Sequence, residues 1–235
     1  MHIKKSLESF TKFDWALWLT SVLVVTISFV VSGSFYWLSL IASLVGVTAL
    51  IFLAKGNVIG QMLTVLFSIL YAMVSFRFRY YGEMITYLGM TLPTASMAVV
   101  TWLRHPYSDV EVKVNHLRKW HVLVVAVLTV IVTFLFYFIL KYFGTSNLFF
   151  STISITTSFA AASLMILRSP YYAIAYAGND IVLIILWILA SMDDLSFLPM
   201  VFCFVMFFAN DLYGYYNWNK MKQQQGNNIN KMRVF

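Results

Sequence analysis

Eight apolar runs follow one another along this chain with little between them, near Trp15–Val31, Tyr36–Ala54, Val58–Ser75, Gly82–Leu103, Trp120–Leu140, Leu148–Leu167, Tyr172–Ala190 and Leu195–Trp218. At about 17 to 22 residues, each crosses a hydrocarbon core of roughly 30 Å as an α-helix. Helices satisfy their own backbone, which lipid cannot do. The sequence therefore reads as an all-α polytopic membrane protein with one transmembrane domain, residues 1–220, and a cytoplasmic tail, 221–235. A composition of 61% hydrophobic and 11% charged residues excludes a soluble domain of this length. Met1 to Asp14 is polar and precedes no small-residue cleavage site, so no removable signal peptide is expected.

The net charge of +7 would suggest nucleic acid in a soluble chain, but here the basic residues sit in loops and tails. No nucleic-acid partner is expected; the partner is the bilayer. Lys4, Lys5, Lys12, Lys55, Arg104, Lys113, Arg118, Lys119, Arg168, Lys220, Lys222, Lys231 and Arg233 gather on one side, against Arg77, Arg79 and Lys141 on the other. The positive-inside rule then makes both termini cytoplasmic. Gly33-Ser34, Lys55-Gly56-Asn57 and Ser191–Asp194 read as short turns, and 105–119 as the one sizeable loop. Arg77, Arg79 and Glu83 read as a charged cluster on the outer side, anchoring Tyr80 and Tyr81 at the interface.

Chemistry that would make an enzyme has no foothold. Cys203 is alone in an apolar run, and His2, His105, His116 and His121 avoid mid-membrane and show no metal-ligand spacing. No metal, no cofactor and no Ser-His-Asp constellation are expected, which leaves an intramembrane enzyme as a minor alternative.

Polar groups at membrane depth are costly and face partner helices or a wet cavity, so they mark candidate sites. Between Gly178 and Trp218 stand two Asn-Asp pairs, Asn179-Asp180 and Asn210-Asp211. Asn210, Tyr213 and Asn217 share a helix face, with Asp211 and Trp218 beside it, and Asp180 shares one with Trp187. Amides, a phenol and an indole suit a flat, polar, partly aromatic solute. Each aspartate is expected to be held by a helix terminus or a tyrosine hydroxyl, with a proton relay as the other reading. In the third run Gln61, Thr64, Ser68, Tyr71 and Ser75 form a polar stripe expected to line a path. Pro93 breaks the ladder of the fourth run. The first run and the Ser/Thr-rich sixth read as packing, and the fifth as a connector facing lipid or a sister subunit.

Met90–Trp102 set above Met206–Trp218 hints at an internal repeat pairing residues 36–103 with 148–218, with 120–140 as linker and 15–31 as an extra helix. Both triplets would point the same way, a SWEET-like 3+1+3 parallel repeat with a site between its halves.

Gly56-Asn57 with Tyr71, Tyr81-Gly82-Glu83-Met84-Ile85, Pro93 to Trp102, Asn179-Asp180 with Leu186-Trp187, and Asn210-Asp211 with Tyr213-Gly214 and Trp218 resemble the PnuC family of bacterial vitamin transporters over about residues 36–220. The resemblance implies a homotrimer in the bacterial cytoplasmic membrane. It implies uptake of nicotinamide riboside by facilitated diffusion, trapped by a cytosolic kinase, with thiamine, riboflavin or a deoxynucleoside, or a proton-coupled carrier, as alternatives. By position it assigns substrate binding to Gln61, Asn179, Trp187, Asn210, Tyr213 and Asn217; the polar stripe and the Asn-Asp cluster add Thr64, Ser68, Tyr71, Trp102, Asp180, Asp211 and Trp218 as further candidates. A second aromatic partner for Trp187 is missing from its own helix, and Tyr71 or Trp102 would substitute.

Overall fold

The computed structural model describes residues 3–33, 36–78, 80–145 and 147–233, with the side chains of Ile3 and of 229–233 left aside. Ser34, Arg79 and His2, and the side chains of Lys231 and Arg233, named above for turn, charge or ligand roles, lie outside the described residues. Within these bounds the chain is helical: α1 (Ile3–Glu8), α2 (Lys12–Val31), α3 (Trp37–Ala54), α4 (Val58–Arg77), α5 (Tyr81–Thr86), a π turn (Tyr87–Thr91), α6 (Leu92–Leu103), α7 (Lys119–Tyr142), α8 (Leu148–Ile166), α9 (Tyr171–Asp193), a 3₁₀ turn (Leu195–Phe197) and α10 (Leu198–Arg233). Eight spans are long and apolar enough to cross a membrane, α5 to α6 counting as one.

Local chemistry sets the ends. α2 opens with a capping box in which the Asp14 backbone N–H reaches Thr11 Oγ1 at 3.2 Å and the Asp14 carboxylate takes the Thr11 N–H at 2.7 Å. Asn57 caps α4 by accepting from the Ile59 N–H at 2.9 Å. The fourth span is not a simple Pro-kinked helix. Pro93 offers no N–H to the turn before it, and the ladder widens into the π turn at Tyr87–Thr91.

Two elements go beyond the sequence reading. α1 is an additional short helix ahead of the first span. The last helix does not end at Trp218: residues 219–233 continue α10, so the tail is an extension of the helix. No proline interrupts this stretch, and its side chains find partners. Gln225 accepts from the Val114 N–H at 2.8 Å and donates to the Val112 carbonyl at 3.1 Å, while Asn228 donates to the Tyr107 hydroxyl. The loop between α6 and α7 is thus strapped to the extension. α1 joins the same end of the molecule through Lys5 and Asp109 at 2.7 Å.

α3, α4, α6, α8, α9 and α10 enclose the core, and α2 lies along α3 and α10. α7 packs against α8, with Leu140 buried beside Met90 of the π turn, and its outer face is bare: Val130, Phe134 and Phe138 are all exposed, and Thr133 with Thr156 at 2.9 Å is a polar tie to α8. Close approach is bought with glycine at two points. A Cβ at Gly46 would lie 2.5 Å from the Phe207 ring, and one at Gly60 would lie 2.6 Å from the Leu53 backbone nitrogen.

Candidate functional site

Where α3, α4, the π turn, α8, α9 and α10 meet they leave a cavity of about 60 Å³. Thr64, Tyr87, Thr91, Ser158, Tyr176, Asn179, Asp180 and Asp211 supply its polar wall, and Gly46, Leu53, Phe67, Met165 and Phe204 part of its apolar wall. Among the described residues no lysine, arginine or histidine lines it. The volume holds a few waters and falls well below the roughly 300–1,000 Å³ of sites that hold drug-sized ligands.

On α9, Tyr176, Asn179 and Asp180 fall at i, i+3 and i+4, so all three meet the cavity. Asn179 is oriented by α8: its Oδ1 accepts from the Thr157 hydroxyl at 2.8 Å and the Ser158 hydroxyl at 2.9 Å. With the carbonyl oxygen engaged there, the amide N–H₂ is the group left to donate to a solute. The sixth run is therefore more than packing, since its hydroxyls fix an amide and Ser158 itself reaches the cavity. Asp180 is buried and its Oδ2 has no hydrogen-bond partner. It sits mid-helix, with no terminus or tyrosine hydroxyl holding that oxygen, contrary to expectation. Asp211 of α10 is the other carboxyl of the cavity wall.

α10 divides its polar residues between two faces. Asp211 looks into the cavity, one helical step of about 100° from Asn210. Asn210 donates to Ser21 Oγ of α2 at 3.0 Å and to the Met206 carbonyl at 2.7 Å. Tyr213 donates a short hydrogen bond to Asp14, which also pairs with Lys55 at 3.2 Å. Asn217 donates to the Ala54 carbonyl at 2.7 Å. Asn210, Tyr213 and Asn217 thus bind α2 and the end of α3 in this conformation. The first run, read as functionally bare, holds two of their partners: Asp14, fully buried, and Ser21.

Two aromatic clusters pack beside residues of the cavity wall. Toward the loop, Trp102, Trp218 and Tyr172 pack together, with ring centroids 5.4 Å apart for the indoles and 5.0 Å for Tyr172 and Trp218. Their polar tips are spent on cavity-wall carbonyls. Trp218 donates to Leu53 at 2.8 Å, Tyr172 to Leu53 at 3.2 Å and Trp102 to Met165 at 3.1 Å. At the opposite end Tyr71 lies 4.1 Å from Tyr87, and the Trp187 indole donates to the Tyr71 hydroxyl at 3.1 Å. Tyr80 and Phe197 pack against Trp187 at 5.1 and 5.7 Å. Tyr71 is the aromatic mate that Trp187 lacks on its own helix. Tyr80 belongs to this cluster and is not only an interfacial anchor, and Glu83 is buried instead of pairing with Arg77.

Of the stripe on α4, Thr64 lines the cavity, and Thr64 and Ser68 bond back to the Gly60 and Thr64 carbonyls. Gln61 is wholly buried with neither amide atom partnered, and Ser75 Oγ is likewise unpaired. Buried polar atoms are normally satisfied.

Tyr87, Thr91, Ser158 and Tyr176 were missed as cavity residues. Tyr176 carried a usable signal in its spacing to Asn179 and Asp180. Thr91 and Tyr87 reach the cavity through the π turn, whose shifted register no helical wheel anticipates.

A sequence model described as the nicotinamide mononucleotide transporter matches residues 36–220. This chain belongs to that family. It is 28% identical over 214 residues to the nicotinamide riboside transporter PnuC of Neisseria mucosa, covering 88% of this chain and 81% of that one. The Haemophilus influenzae nicotinamide riboside transporter PnuC is 26% identical over 211 residues, covering 87% and 89%. A crystal structure of the vitamin B3 transporter PnuC superposes with a TM-score of 0.81 at 26% identity, over 92% of this chain and 94% of that one. The protein is accordingly a multi-pass membrane transporter, and the cavity is read below as a cargo site.

Proposed function

We propose that this chain carries nicotinamide riboside across the cytoplasmic membrane of a bacterium. The relatives are named for that cargo, and the observation that decides between it and the mononucleotide of the family description is the cavity wall. Two carboxyl groups and no basic side chain face inward. A phosphate dianion would be repelled there, whereas the pyridinium ring of the riboside is a cation and its ribose offers hydroxyls to amides.

In this reading Asn179, Asp180, Asp211 and Thr64 hold the cargo, Gln61 gains its partner on opening, and Trp187 with Tyr71 bears on the ring. Asn210, Tyr213, Asn217 and Trp218 hold the scaffold in the closed state, and Trp102 and Ser68 support it. Residues 36–103 and 148–218 act as two parallel triplets that rock about α7 to expose the cavity to each side in turn. Both termini, the loop and the α10 extension are cytoplasmic, by the charge asymmetry. The bare face of α7 meets a sister subunit in a homotrimer. Cargo moves down its gradient without ATP, and phosphorylation by a cytosolic kinase keeps the free internal concentration low.

Calorimetry on the detergent-solubilised protein with nicotinamide riboside, nicotinamide mononucleotide, nicotinamide, thiamine, riboflavin and thymidine tests this. Heat with the riboside alone is expected. Binding of the mononucleotide at equal affinity contradicts the charge argument, and binding of another vitamin instead moves the cargo assignment within the same fold.

A further inference from the structure

One face of α10 stays in use after the helix has left the apolar run. Asn217, Met221, Gln225 and Asn228 follow at i, i+4, i+8 and i+11, a single helical stripe. Each meets the end of the molecule where α3 turns into α4 and α6 gives way to its loop. Asn217 donates to the Ala54 carbonyl at 2.7 Å, and Met221 lies so near Gly56 that a Cβ there would stand 2.5 Å from its methyl carbon. Gln225 is 4% exposed and uses both ends of its amide, on the Val114 N–H and the Val112 carbonyl. Asn228 donates to the Tyr107 hydroxyl at 2.9 Å. The rungs at Met221, Gln225 and Asn228 lie beyond residue 220, where the match to the family model ends.

The surface these rungs grip belongs to the first triplet. The Val112 N–H donates to the Gly56 carbonyl and the Lys113 N–H to the His105 carbonyl, both at 2.9 Å, so the start of the loop folds back onto the α3–α4 turn and the end of α6. Past Val114 the chain crosses over, and the Asn115 N–H meets the Arg168 carbonyl at 3.0 Å. The stripe thus joins the last helix of residues 148–218 to the end of residues 36–103. Leu53 and Met165 of the cavity wall share one buried apolar cluster with Trp218, Met221 and Val112, so packed side chains separate the cavity from the loop. Cargo that leaves on this side needs the two bodies to part along the stripe.

We infer that the α10 extension is the cytoplasmic strap of the carrier, and that Gln225 is the positioning residue that sets how often it lets go. The chemistry suits a fastening that must be undone. A buried amide is satisfied only while both its ends are bonded, which ties Gln225 to one register on the loop. On release, water takes over the same donors and acceptors, so each bond contributes little net free energy and the strap is not locked. It stays fastened while cargo enters from the opposite side and parts for release to the cytoplasm. Loss of the two Gln225 bonds shifts the balance toward the released form by about tenfold. This inference rests on the transport reading above, in which two triplets part and rejoin around the cavity.

The test places a thiol on each side of the seam with Tyr107→Cys/Asn228→Cys, both at exposed positions, while the native Cys203 is buried. Spin labels on this pair in the full-length protein in liposomes, without cargo, are expected to show two distances, a short one for the fastened strap and a longer one for the released. Adding Gln225→Ala is expected to raise the ratio of long to short about tenfold, and Gln224→Ala, at an exposed neighbouring position, to leave it unchanged. One short distance in the parent pair and in Gln225→Ala alike overturns the strap as a moving part. Joined by a short thiol cross-linker, the pair is expected to take up nicotinamide riboside at less than about a tenth of its rate before joining, with each single cysteine unaffected by the reagent. Full uptake with the strap joined overturns the inference as well. No riboside uptake before joining removes the cargo reading, and the distances, measured without cargo, then decide the strap alone. The parent pair needs no change at Gln225, so a Gln225 variant that fails to fold leaves both measurements in force.

Discussion

Two consecutive helices carry the same dipeptide at membrane depth, and the fold uses the two copies differently. In α9, Asn179 and Asp180 both face the cavity, because α8 and α10 pack on adjoining sides and the cavity lies between them. In α10, Asp211 faces the cavity while Asn210 is bonded to Ser21. The difference lies in what covers the neighbouring face. α2 covers it on α10 and brings Ser21 to the Asn210 amide nitrogen and Asp14 to the Tyr213 phenol, while the buried Asn210 carbonyl oxygen has no partner. On α9 the engaged atom is instead the amide oxygen, which accepts from Thr157 and Ser158. Identical residues thus both line the cavity in one helix and divide between cavity and scaffold in the next.

The largest effect expected from breaking this contrast is on cargo affinity. Asn179→Ala removes the oriented donor and should weaken riboside binding about tenfold to a hundredfold, measured by calorimetry, with little change in thermal midpoint. Unaltered affinity would move the cargo away from α9. Tyr213→Phe removes a hydrogen bond to a carboxylate and should cost about 1.5–3 kcal/mol of stability, read as a lower midpoint in detergent, with affinity kept within about threefold. Asn210→Ala should lower stability by about 1 kcal/mol through loss of the Ser21 bond, again sparing affinity. A large affinity loss in either scaffold variant at unchanged midpoint would merge the two faces into one site. The smallest effect belongs to Thr133→Val, which removes the polar tie between α7 and α8 and should cost about 0.6 kcal/mol or less. A larger loss would give α7 a closer part in the core.

Lipid imposes the helices, so the eight spans were legible from apolar run length alone, as was the loop between α6 and α7. The site was half legible. A helical wheel shows that Asn210, Tyr213 and Asn217 share a face, but not which element covers it, and the face one step round, with Asp211, reads equally polar. Asp14 looks like an interfacial residue at the start of a helix, and only the approach of Tyr213 and Lys55 makes it a buried junction. Ser158 is invisible because serines in apolar helices usually bond back to their own turn. The extension of α10 was lost because its support comes from a loop more than a hundred residues earlier, through Gln225.

A crystal structure of the protein with nicotinamide riboside tests the central claim most directly. The account predicts a widened cavity with the pyridinium ring against Asp180 and Asp211 and a ribose hydroxyl accepting from the Asn179 amide, while Asn217 keeps its bond to the Ala54 carbonyl. A riboside lodged between α2 and α10, hydrogen-bonded to Asn210, Tyr213 or Asn217 and out of reach of Asp180 and Asp211, would contradict it.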